Sequence, residues 1–529
     1  MTFRHAGTIA ENDVLKTDIC IVGAGAAGIT LALELENSRF RVLLLESGDT
    51  GPLEAADELN QLEIAGHPLN VAARVRRRCL GGTTVDTYGR CVLPDAIDFE
   101  SRPWVTDSGW PISEEHIRPF YPQAARIVGL DRPELLEREH WLDHPVSQSF
   151  AHDNLNVRIH RWGRYIDLGR AWGNHLRRSR TVEVLLQATA VDCRAGESGT
   201  RIQQLAVRGL NGVHFAVQAR AFVLACGGFE NPRLLLLSRQ GESPPAMNWN
   251  PVGRYYMSHP RSETLATLQL NQDKPHLGKA VRALVLHRDQ KARGRLQFGF
   301  SPSELLQRKE GLLNVSGFFY AVSDAKVLAA QRALADFTTP QATGRTAFLA
   351  RLGALGGHLP TLAQGAMGRL MAKPVRPHHL VMVDQCEQPP DPGSRITLGQ
   401  GSDRFGNPLG KLDWRIAAAT TTSLRRLHGL LFEAFQRQGL GRLQSRLLDD
   451  PDLVPDYQDC AHPTGTTRMS VDDQHGVVDS TCRIHGLQNL FVAGSSVFPV
   501  AGQANPTFTI IALAARLAHH LRDTLPEVK

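Results

Sequence analysis

The chain has 529 residues, more than one hydrophobic core usually supports, so its length predicts two domains or one domain with a large second lobe. Its formal net charge of +6 is small for this length and argues against a nucleic-acid partner, which would need a concentrated basic surface. No apolar leader and no uninterrupted apolar stretch of about 18 residues occurs, so we expect a cytoplasmic protein without an integral membrane segment. The cysteines show no metal-ligand spacing, and we therefore expect no metal site.

The first predicted elements are a strand (17–23), a helix and a second strand that ends at Glu46. Gly23, Gly25 and Gly28 form a G-x-G-x-x-G turn, where backbone N–H groups and the helix N-terminus can approach a pyrophosphate. Glu46 stands 18 residues after Gly28, where a carboxylate can accept hydrogen bonds from a ribose hydroxyl. The alternative for Glu46 is a solvated carboxylate. The unit predicts a dinucleotide site and leaves NAD and FAD open.

A basic cluster follows this unit and precedes the sequence RCLGGTT at 78–84. Its members are Arg74, Arg76, Arg77 and Arg78. Guanidinium groups at this place either balance the charge of a pyrophosphate or form a solvated basic edge, and the sequence leaves both interpretations open.

The middle of the chain predicts a sheet and a helical segment. Residues 255–320 and 380–415 alternate apolar and polar positions between turn signals, which is typical of an antiparallel sheet. Residues 324–373 have helical spacing, interrupted at Pro340 and at Gly356-Gly357. Packing against the sheet is the simplest interpretation of this segment, and a lid, an oligomer contact or a membrane-surface face are its alternatives.

The C-terminal region, residues 462–511, combines a histidine before G-T-x-x-M, the pattern G-x-x-N-L-F-V, and Asn-Pro-Thr before a final helix. This combination resembles the C-terminal signature of the glucose–methanol–choline (GMC) oxidoreductases. The matching positions are His462, Gly465, Thr466, Met469, Val478, Asp479, Gly486, Asn489, Leu490, Val492, Ser496, Pro499, Asn505, Pro506 and Thr507.

The resemblance extends to residues 78–84, 221–236 and 250–260, and the Asn-Pro-Thr ending is most similar to pyranose oxidases and the large subunits of sugar and polyol dehydrogenases. It implies FAD rather than NAD, bound by an α/β fold with a discontinuous Rossmann-like FAD-binding domain. It also implies a second, substrate domain built on an antiparallel sheet and helices. The expected segments are 1–96, 181–256 and 455–529 for parts 1, 2 and 3 of the FAD-binding domain, the last with the catalytic residues, and 97–180 (with a flavin lid) and 257–454 for the substrate domain.

Oxidation of a CH–OH carbon by hydride removal is favoured when the hydroxyl proton passes to a base of near-neutral pKa, a task that suits histidine. The resemblance implies that His462 is this base, that Asn505 holds the alcohol oxygen, and that flavin N5 receives the hydride. The alternatives are a structural histidine at 462 and a turn-forming Asn-Pro at 505. His485 is expected to be structural, and His259 has no assigned role.

The resemblance further implies a set of residues that contact the cofactor. They are Gly23, Gly25, Gly28, Glu46, Ser47, Arg78, Gly81, Gly82, Thr83, Val191, Gly494, Pro506 and Thr507. Some family members attach the flavin to a histidine in the 81–95 region, and this chain has none there, so we expect non-covalent FAD.

Two departures from the family pattern stand near the expected flavin. Residues Val85 to Tyr88 replace an asparagine, an aromatic residue and glycine, and Asp86 or Tyr88 then either reaches the substrate or faces protein. Gly494 stands where many relatives carry an aspartate. Because the asparagine of the family pattern is absent from residues 85–88, the polar contact that it makes near the flavin must be replaced or lost.

Together these features predict an FAD-dependent GMC alcohol oxidoreductase, either an oxidase or a dehydrogenase. Its substrate is expected to be a sugar, glycoside, cyclitol or related polyol, oxidised at a CH–OH group to the carbonyl. The electron acceptor is left open among oxygen, a quinone and a redox protein. The alternatives are a redox-silent lyase of the same fold, which the presence of both His462 and Asn505 disfavours, and a flavin scaffold or electron-transfer subunit.

Overall fold

A computed structural model describes residues 3–70, 75–87, 89–239, 244–271, 283–321 and 379–526. The predicted helical segment 324–373 lies outside these residues, as do Arg74 and Tyr88. Within the described ranges, no helix has both the length and the apolar character needed to cross a lipid bilayer.

The described strands are β1 (Phe3–His5), β2 (Val14–Val22), β3 (Val42–Leu45), β4 (Leu62–Ile64), β5 (Arg90–Cys91), β6 (Leu155–Trp162), β7 (Val182–Leu186), β8 (Ala188–Ala195), β9 (Ile202–Gly209), β10 (His214–Leu224), β11 (Pro260–Ser262), β12 (Ala266–Leu270), β13 (His287–Asp289), β14 (Gly294–Pro302), β15 (Val315–Ala321), β16 (His379–Cys386), β17 (Arg395–Ser402), β18 (Pro408–Asp413), β19 (Gly441–Ser445), β20 (Gln458–Asp459) and β21 (Leu490–Val492). The described α-helices are α1 (Ala26–Leu35), α2 (Glu54–Asp57), α3 (Ala96–Phe99), α4 (Tyr121–Val128), α5 (Pro145–Phe150), α6 (Leu168–Arg177), α7 (Gly227–Ser238), α8 (Glu304–Glu310), α9 (Ala418–Gln438), α10 (Arg446–Asp449) and α11 (Thr507–Thr524).

The first sheet has the strand order β1-β7-β3-β2-β10-β9-β8, and β21 also pairs with β10. Strands β1, β7, β3, β2, β10 and β21 are parallel, whereas β8, β9 and β10 form an antiparallel meander. The apolar run of β3 is buried along its whole length, as expected for a parallel strand covered on both faces. Helix α1 follows β2 and packs against α11, so the beginning and the end of the described chain share one core.

The second sheet has the strand order β19-β12-β16-β15-β14-β6-β5, and β11, β13 and β20 pair at its sides. All of its pairings are antiparallel. Helix α9 packs on this sheet, and Phe435 of that helix contacts the rings of Phe150, Phe300 and Phe319. These rings form the centre of a second hydrophobic core.

A third, small sheet corrects one expectation from the sequence. Residues 380–415 were expected to continue the antiparallel sheet of 255–320, but only β16 does so. Strands β17 and β18 form a hairpin that joins β4 in parallel register, with Trp414 buried beneath it against Tyr256. Alternating polarity identifies a half-buried strand but does not identify its partner, which explains the error.

The predicted α/β class is confirmed, with a Rossmann-like sheet and a second layer built on an antiparallel sheet and helices. The first sheet draws its strands from three separate stretches of the chain, residues 3–45, 182–224 and 490–492. The predicted boundaries between the segments of the two domains stay a prediction.

Candidate active site

A cavity of about 1080 Å³ lies between residues of the first sheet and residues of the second. Its walls come from the turn after β2, the loop before β5, the start of α7 and the start of α11. A concave site of this size, built from distant segments, is typical of a bound cofactor or substrate. Both His462 and Asn505 line it.

The three glycines of the turn after β2 do different things. Gly23 has a φ of +100°, and a Cβ there would lie 2.7 Å from the carbonyl oxygen of Ala225. Gly25 lines the cavity, and a Cβ there would meet no atom within 4 Å. Gly28 lies away from the cavity, where a Cβ would lie 1.8 Å from the carbonyl oxygen of Gly23. Gly25 therefore keeps the cavity open, whereas Gly28 lets α1 pack closely on β2.

Glu46 lies in the cavity wall at the end of β3 and is 4% exposed, so the solvated alternative does not hold. Its two carboxylate oxygens accept hydrogen bonds from the backbone N–H groups of Ala24 and Gly48, both at 2.9 Å. Burial raises the pKa of Glu46, against the opposing effect of these two amides and of Arg78. The carboxylate is thus fixed in orientation at the place where the sequence predicts ribose recognition.

Arg76 and Arg78 are held by Glu230 of α7, at distances of 2.7 Å and 2.9 Å, and their side chains are each 11% exposed. The interpretation as a solvated basic edge is therefore wrong for these two arginines. Burial alone would raise the pKa of Glu230, but Arg78, Arg233 and Arg76 lower it to about 2. Arg78 also donates a hydrogen bond to the Ser47 hydroxyl at 3.1 Å, which places both side chains in the cavity wall.

The glycine-rich loop before β5 packs directly on the first turn. Gly81 and Gly82 have positive φ angles, and a Cβ at Gly82 would lie 2.9 Å from the Cα of Gly25. Gly82 and the neighbouring Thr83 line the cavity, whereas Gly81 packs against the backbone of Gly169 outside it. Two cavity-lining turns thus meet through glycine backbone, which leaves no side chain between them.

In the altered part of this loop, the carboxylate of Asp86 pairs with Arg77 at 2.7 Å. Both side chains line the cavity, so the carboxylate of Asp86 is held by protein at the cavity wall. Tyr88 lies outside the described residues.

The remaining predicted cofactor contacts also lie in the cavity wall. Val191 belongs to β8, and Pro506 and Thr507 stand at the N-terminus of α11. The positive end of that helix's dipole is therefore next to the cavity. Gly494 has a φ of +119°, and a Cβ there would meet no atom within 4 Å, so the space that an aspartate side chain fills in many relatives is open here.

His462 and Asn505 lie next to each other, with the amide Nδ2 of Asn505 at 3.2 Å from Nε2 of His462. A third residue, His259, contacts the other side of the same ring, with its Nδ1 at 2.7 Å from Nδ1 of His462. His259 is fully buried, and its Nε2 lies 3.0 Å from the carbonyl oxygen of Gly502. The three side chains form a chain of contacts that ends at a backbone carbonyl.

These contacts fix the proton positions on both rings. A carbonyl oxygen only accepts hydrogen bonds, so Nε2 of His259 carries a proton, and burial lowers the pKa of His259 to about 4, which keeps the ring neutral. Its Nδ1 is therefore an acceptor, and Nδ1 of His462 must donate to it. Nε2 of His462 is consequently unprotonated, and it faces Asn505 and the cavity.

Burial also lowers the pKa of His462 well below its ordinary value, and His259, Arg261 and Arg90 add to this effect. The ring is therefore neutral over the whole neutral pH range. A neutral imidazole with a free Nε2 in a cavity is able to accept a proton from a hydroxyl group placed there.

Two comparisons with known families agree with this geometry. Residues 390–514 match the family model described as GMC oxidoreductase, and residues 21–75 match the NAD(P)-binding Rossmann-like domain. The chain is 23% identical, over 97% of its length and 96% of the relative, to 2-methyl-1,2-propanediol dehydrogenase of Mycolicibacterium austroafricanum. Residues 390–514 are therefore identified as the C-terminal region of a GMC oxidoreductase. The protein is an FAD-dependent alcohol oxidoreductase of this type.

Other GMC relatives match over shorter or more divergent stretches. A C-glycoside 3-oxidase of Microbacterium trichothecenolyticum is 31% identical over 26% of this chain and 29% of the relative. Among solved structures, pyridoxine 4-oxidase from Mesorbium loti has a TM-score of 0.54 at 18% identity, covering 96% of this chain and all of that one. At this level of identity the structural match establishes the shared fold.

The cavity of this GMC protein fits FAD. Eleven of the 13 predicted cofactor-contacting residues line it, the exceptions being Gly28 and Gly81, which support the lining turns from behind. Gly25 leaves room for close approach of a pyrophosphate, and Glu46 stands at the strand end expected to meet the ribose. That each of these residues contacts the bound cofactor, and that the attachment is non-covalent, stay predictions.

Two residues of this site were not found from the GMC pattern. His259, in the sequence MSHP, matches a position outside the chemistry in the family pattern, and nothing in the sequence indicates its contact with His462, which lies 203 residues away. Glu230 stands in the predicted strand-turn segment 221–236, and the excess of arginines ahead of Gly81 was the available signal that a buried acid must balance them.

Proposed function

We propose that this protein oxidises a CH–OH group of a sugar, glycoside, cyclitol or related polyol to the carbonyl, with His462 as the base. The observation that carries the proposal is the placement of His462 between two partners, with its Nε2 3.2 Å from the Asn505 amide in the cavity and its Nδ1 2.7 Å from Nδ1 of His259. FAD supplies, when bound, a two-electron acceptor for the hydride that leaves the alcohol carbon.

The side chains divide the remaining work. A substrate hydroxyl that enters between His462 and Asn505 donates its proton to Nε2 and accepts a hydrogen bond from the amide Nδ2. His462 then carries a positive charge, and its Nδ1–H remains bonded to neutral His259. Because His259 has a pKa of about 4, it does not take up a second proton near neutral pH. Proton removal and hydride loss from the same CH–OH group leave a carbonyl.

The substrate class is supported by what the relatives act on. The names of two of them specify a vicinal diol and a C-glycoside oxidised at carbon 3. Both are alcohols with neighbouring oxygen substituents, which fits a base and an amide placed side by side. The proposal keeps three candidates for the electron acceptor: oxygen, a quinone or a redox protein.

The experiment that tests the reaction is anaerobic mixing of the purified yellow protein with sugars, glycosides, cyclitols and simple alcohols, followed at the oxidised-flavin absorbance. We expect members of the polyol classes to bleach the flavin, and we expect simple monoalcohols to reduce it more slowly. Readmitted oxygen then restores the colour of an oxidase, and a quinone or dye restores that of a dehydrogenase. A fully loaded flavin that no alcohol bleaches would favour a scaffold or a redox-silent lyase.

Replacement of the base tests the role of His462. His462→Ala should keep the protein folded and yellow but slow flavin reduction by about two to four orders of magnitude, the usual contribution of a positioned base. His485→Ala is the matched control, because His485 bonds the carbonyl of Ser470 and lies outside the cavity lining. Equal reduction rates in the two variants would remove His462 from the mechanism.

A further inference from the structure

The part of the cavity next to His462 is rich in arginine. Arg90 of β5 and Arg261 of β11 line this part, and Arg295 of β14 and Tyr320 line the same cavity. Arg90 and Arg261 are close enough to His462 to depress its pKa. None of the three belongs to the set predicted to contact FAD.

Arg90 is held rigidly and has no acidic partner. Its guanidinium stacks on the ring of Phe318 at 3.9 Å and on that of Trp162 at 5.1 Å, and one nitrogen donates to the Tyr320 hydroxyl at 2.6 Å. Within the described ranges, no carboxylate forms an ion pair with it, and no carboxylate is among the groups that shift its pKa. Burial lowers the pKa of the Arg90 guanidinium, and the positive charge of Arg261 lowers it further.

Two acids, Glu263 and Asp459, line the same cavity. Arg261 pairs with Glu263, whose side chain is 54% exposed, so this ion pair is well solvated. Asp459 is fully buried, and its two oxygens accept hydrogen bonds from the backbone N–H groups of Asn70 and Ala461. In the part of the chain that the structure describes, Arg295 has no ion pair.

A partly buried guanidinium without a counter-charge is costly, and stacking on aromatic rings does not remove the charge. A planar donor fork held in fixed orientation is also the arrangement that binds carboxylates and phosphates well. Both facts are explained if the molecule that fills the cavity supplies the negative charge that pairs with Arg90.

We propose that the substrate is an anionic polyol, a sugar or polyol that carries a carboxylate or a phosphate, and that Arg90 and Arg261 bind its anionic group while a CH–OH group lies at His462. This inference rests on the proposed function. The anionic group takes no part in the redox step: the substrate loses a hydride to FAD and a proton to Nε2 of His462, and the carboxylate or phosphate leaves with the product unchanged. A bound anion also offsets the two positive charges beside His462, so the base becomes stronger when substrate is present.

The first test compares matched substrates. Glucose, glucuronate, gluconate and glucose 6-phosphate are mixed anaerobically with the holoenzyme, and the concentration dependence of flavin reduction gives an apparent Kd for each. We expect the best anionic compound to have a Kd at least about tenfold lower than glucose, as a charge-assisted contact implies. The carboxylates and the phosphate separate the two sources of the anion. Equal Kd values for neutral and anionic members would overturn the inference while leaving the proposed oxidation intact.

The second test uses variants. Arg90→Gln and Arg261→Gln should each raise the Kd of the anionic substrate by about tenfold or more and change that of glucose by less than about threefold. Arg442→Gln is the control, because Arg442 is exposed on β19 of the same sheet and outside the cavity lining, so it removes the same charge. If all three variants shift neutral and anionic compounds alike, the arginines do not recognise an anion.

The third test is independent of turnover. Acetate and inorganic phosphate are titrated into the oxidised holoenzyme, and the shift of the flavin absorbance gives their Kd at equilibrium. Saturable binding that weakens in Arg90→Gln supports the inference even if no alcohol bleaches the flavin. Absence of binding by both anions, together with preference for neutral polyols, refutes it.

Discussion

Replacement of His259 gives the sharpest test of the proton arrangement at the site. In His259→Leu, Nδ1–H of His462 loses its acceptor inside a buried region, whereas His259→Asn retains a carbonyl oxygen close to the position of the lost Nδ1. An unsatisfied buried donor costs about 1–3 kcal/mol, which disfavours the tautomer with a free Nε2 by about five- to 150-fold. We therefore expect flavin reduction in the leucine variant to slow by that factor and the asparagine variant to recover part of the loss.

The assay is anaerobic stopped-flow reduction at saturating substrate, with the FAD-to-protein ratio and the flavin spectrum as controls for correct assembly. A merely structural role for His259 would lower FAD content or the unfolding midpoint in both variants and would leave the rate per bound flavin unchanged. Parental rates per flavin in His259→Leu would therefore refute the tautomer argument, even if that variant is less stable.

Three further predictions concern the cavity and its titratable groups. Gly25→Val should fold but bind little FAD, and full FAD occupancy in this variant would contradict the assignment of the glycine turn. Gly28→Val should instead lower the unfolding midpoint, because the Cβ of residue 28 would collide with the carbonyl oxygen of Gly23. The rate of flavin reduction should be constant above neutral pH and fall only in acid, since protonated His462 accepts no proton; an apparent pKa above 6.5 in the pH profile would disagree. His259 has a pKa near 6.5 in the unfolded chain and of about 4 in the folded chain, so the unfolded chain binds the proton more readily. The free energy of unfolding should therefore be fully retained above pH 6.5 and decline by up to about 3 kcal/mol towards pH 4. Urea titrations at several pH values would show this decline, which should be smaller in His259→Asn.

The sequence predicted the parts of the site that depend on local spacing. The glycine turn and Glu46 lie within one βαβ unit of adjacent elements, so their separation along the chain is enough to place them together. The pairing of His462 with Asn505 came instead from the family resemblance, because 43 residues separate them and no periodicity connects them.

Contacts between distant segments could not be predicted in this way. His259 meets His462 because β11 pairs with β20, which follow and precede these two residues in the chain. Glu230 of α7 meets Arg76 across 154 residues of sequence. The hairpin of β17 and β18 was placed in the wrong sheet for the same reason, since its polarity pattern suits any sheet with one solvated face. Arg90 carries no local signal of its role either, because its significance depends on the absence of an acid nearby.

The contact between α1 and α11 sets the order in which this enzyme can be assembled in a cell. Gly25 and Asn505 face the same cavity but are separated by 480 residues, so a ribosome adding about 5–20 residues per second exposes the first about half a minute to a minute and a half before the second exists. During that interval the apolar side of α1 has no partner from α11. Capture of FAD must therefore wait until synthesis is nearly complete, and chaperones have that interval in which to shield the nascent chain.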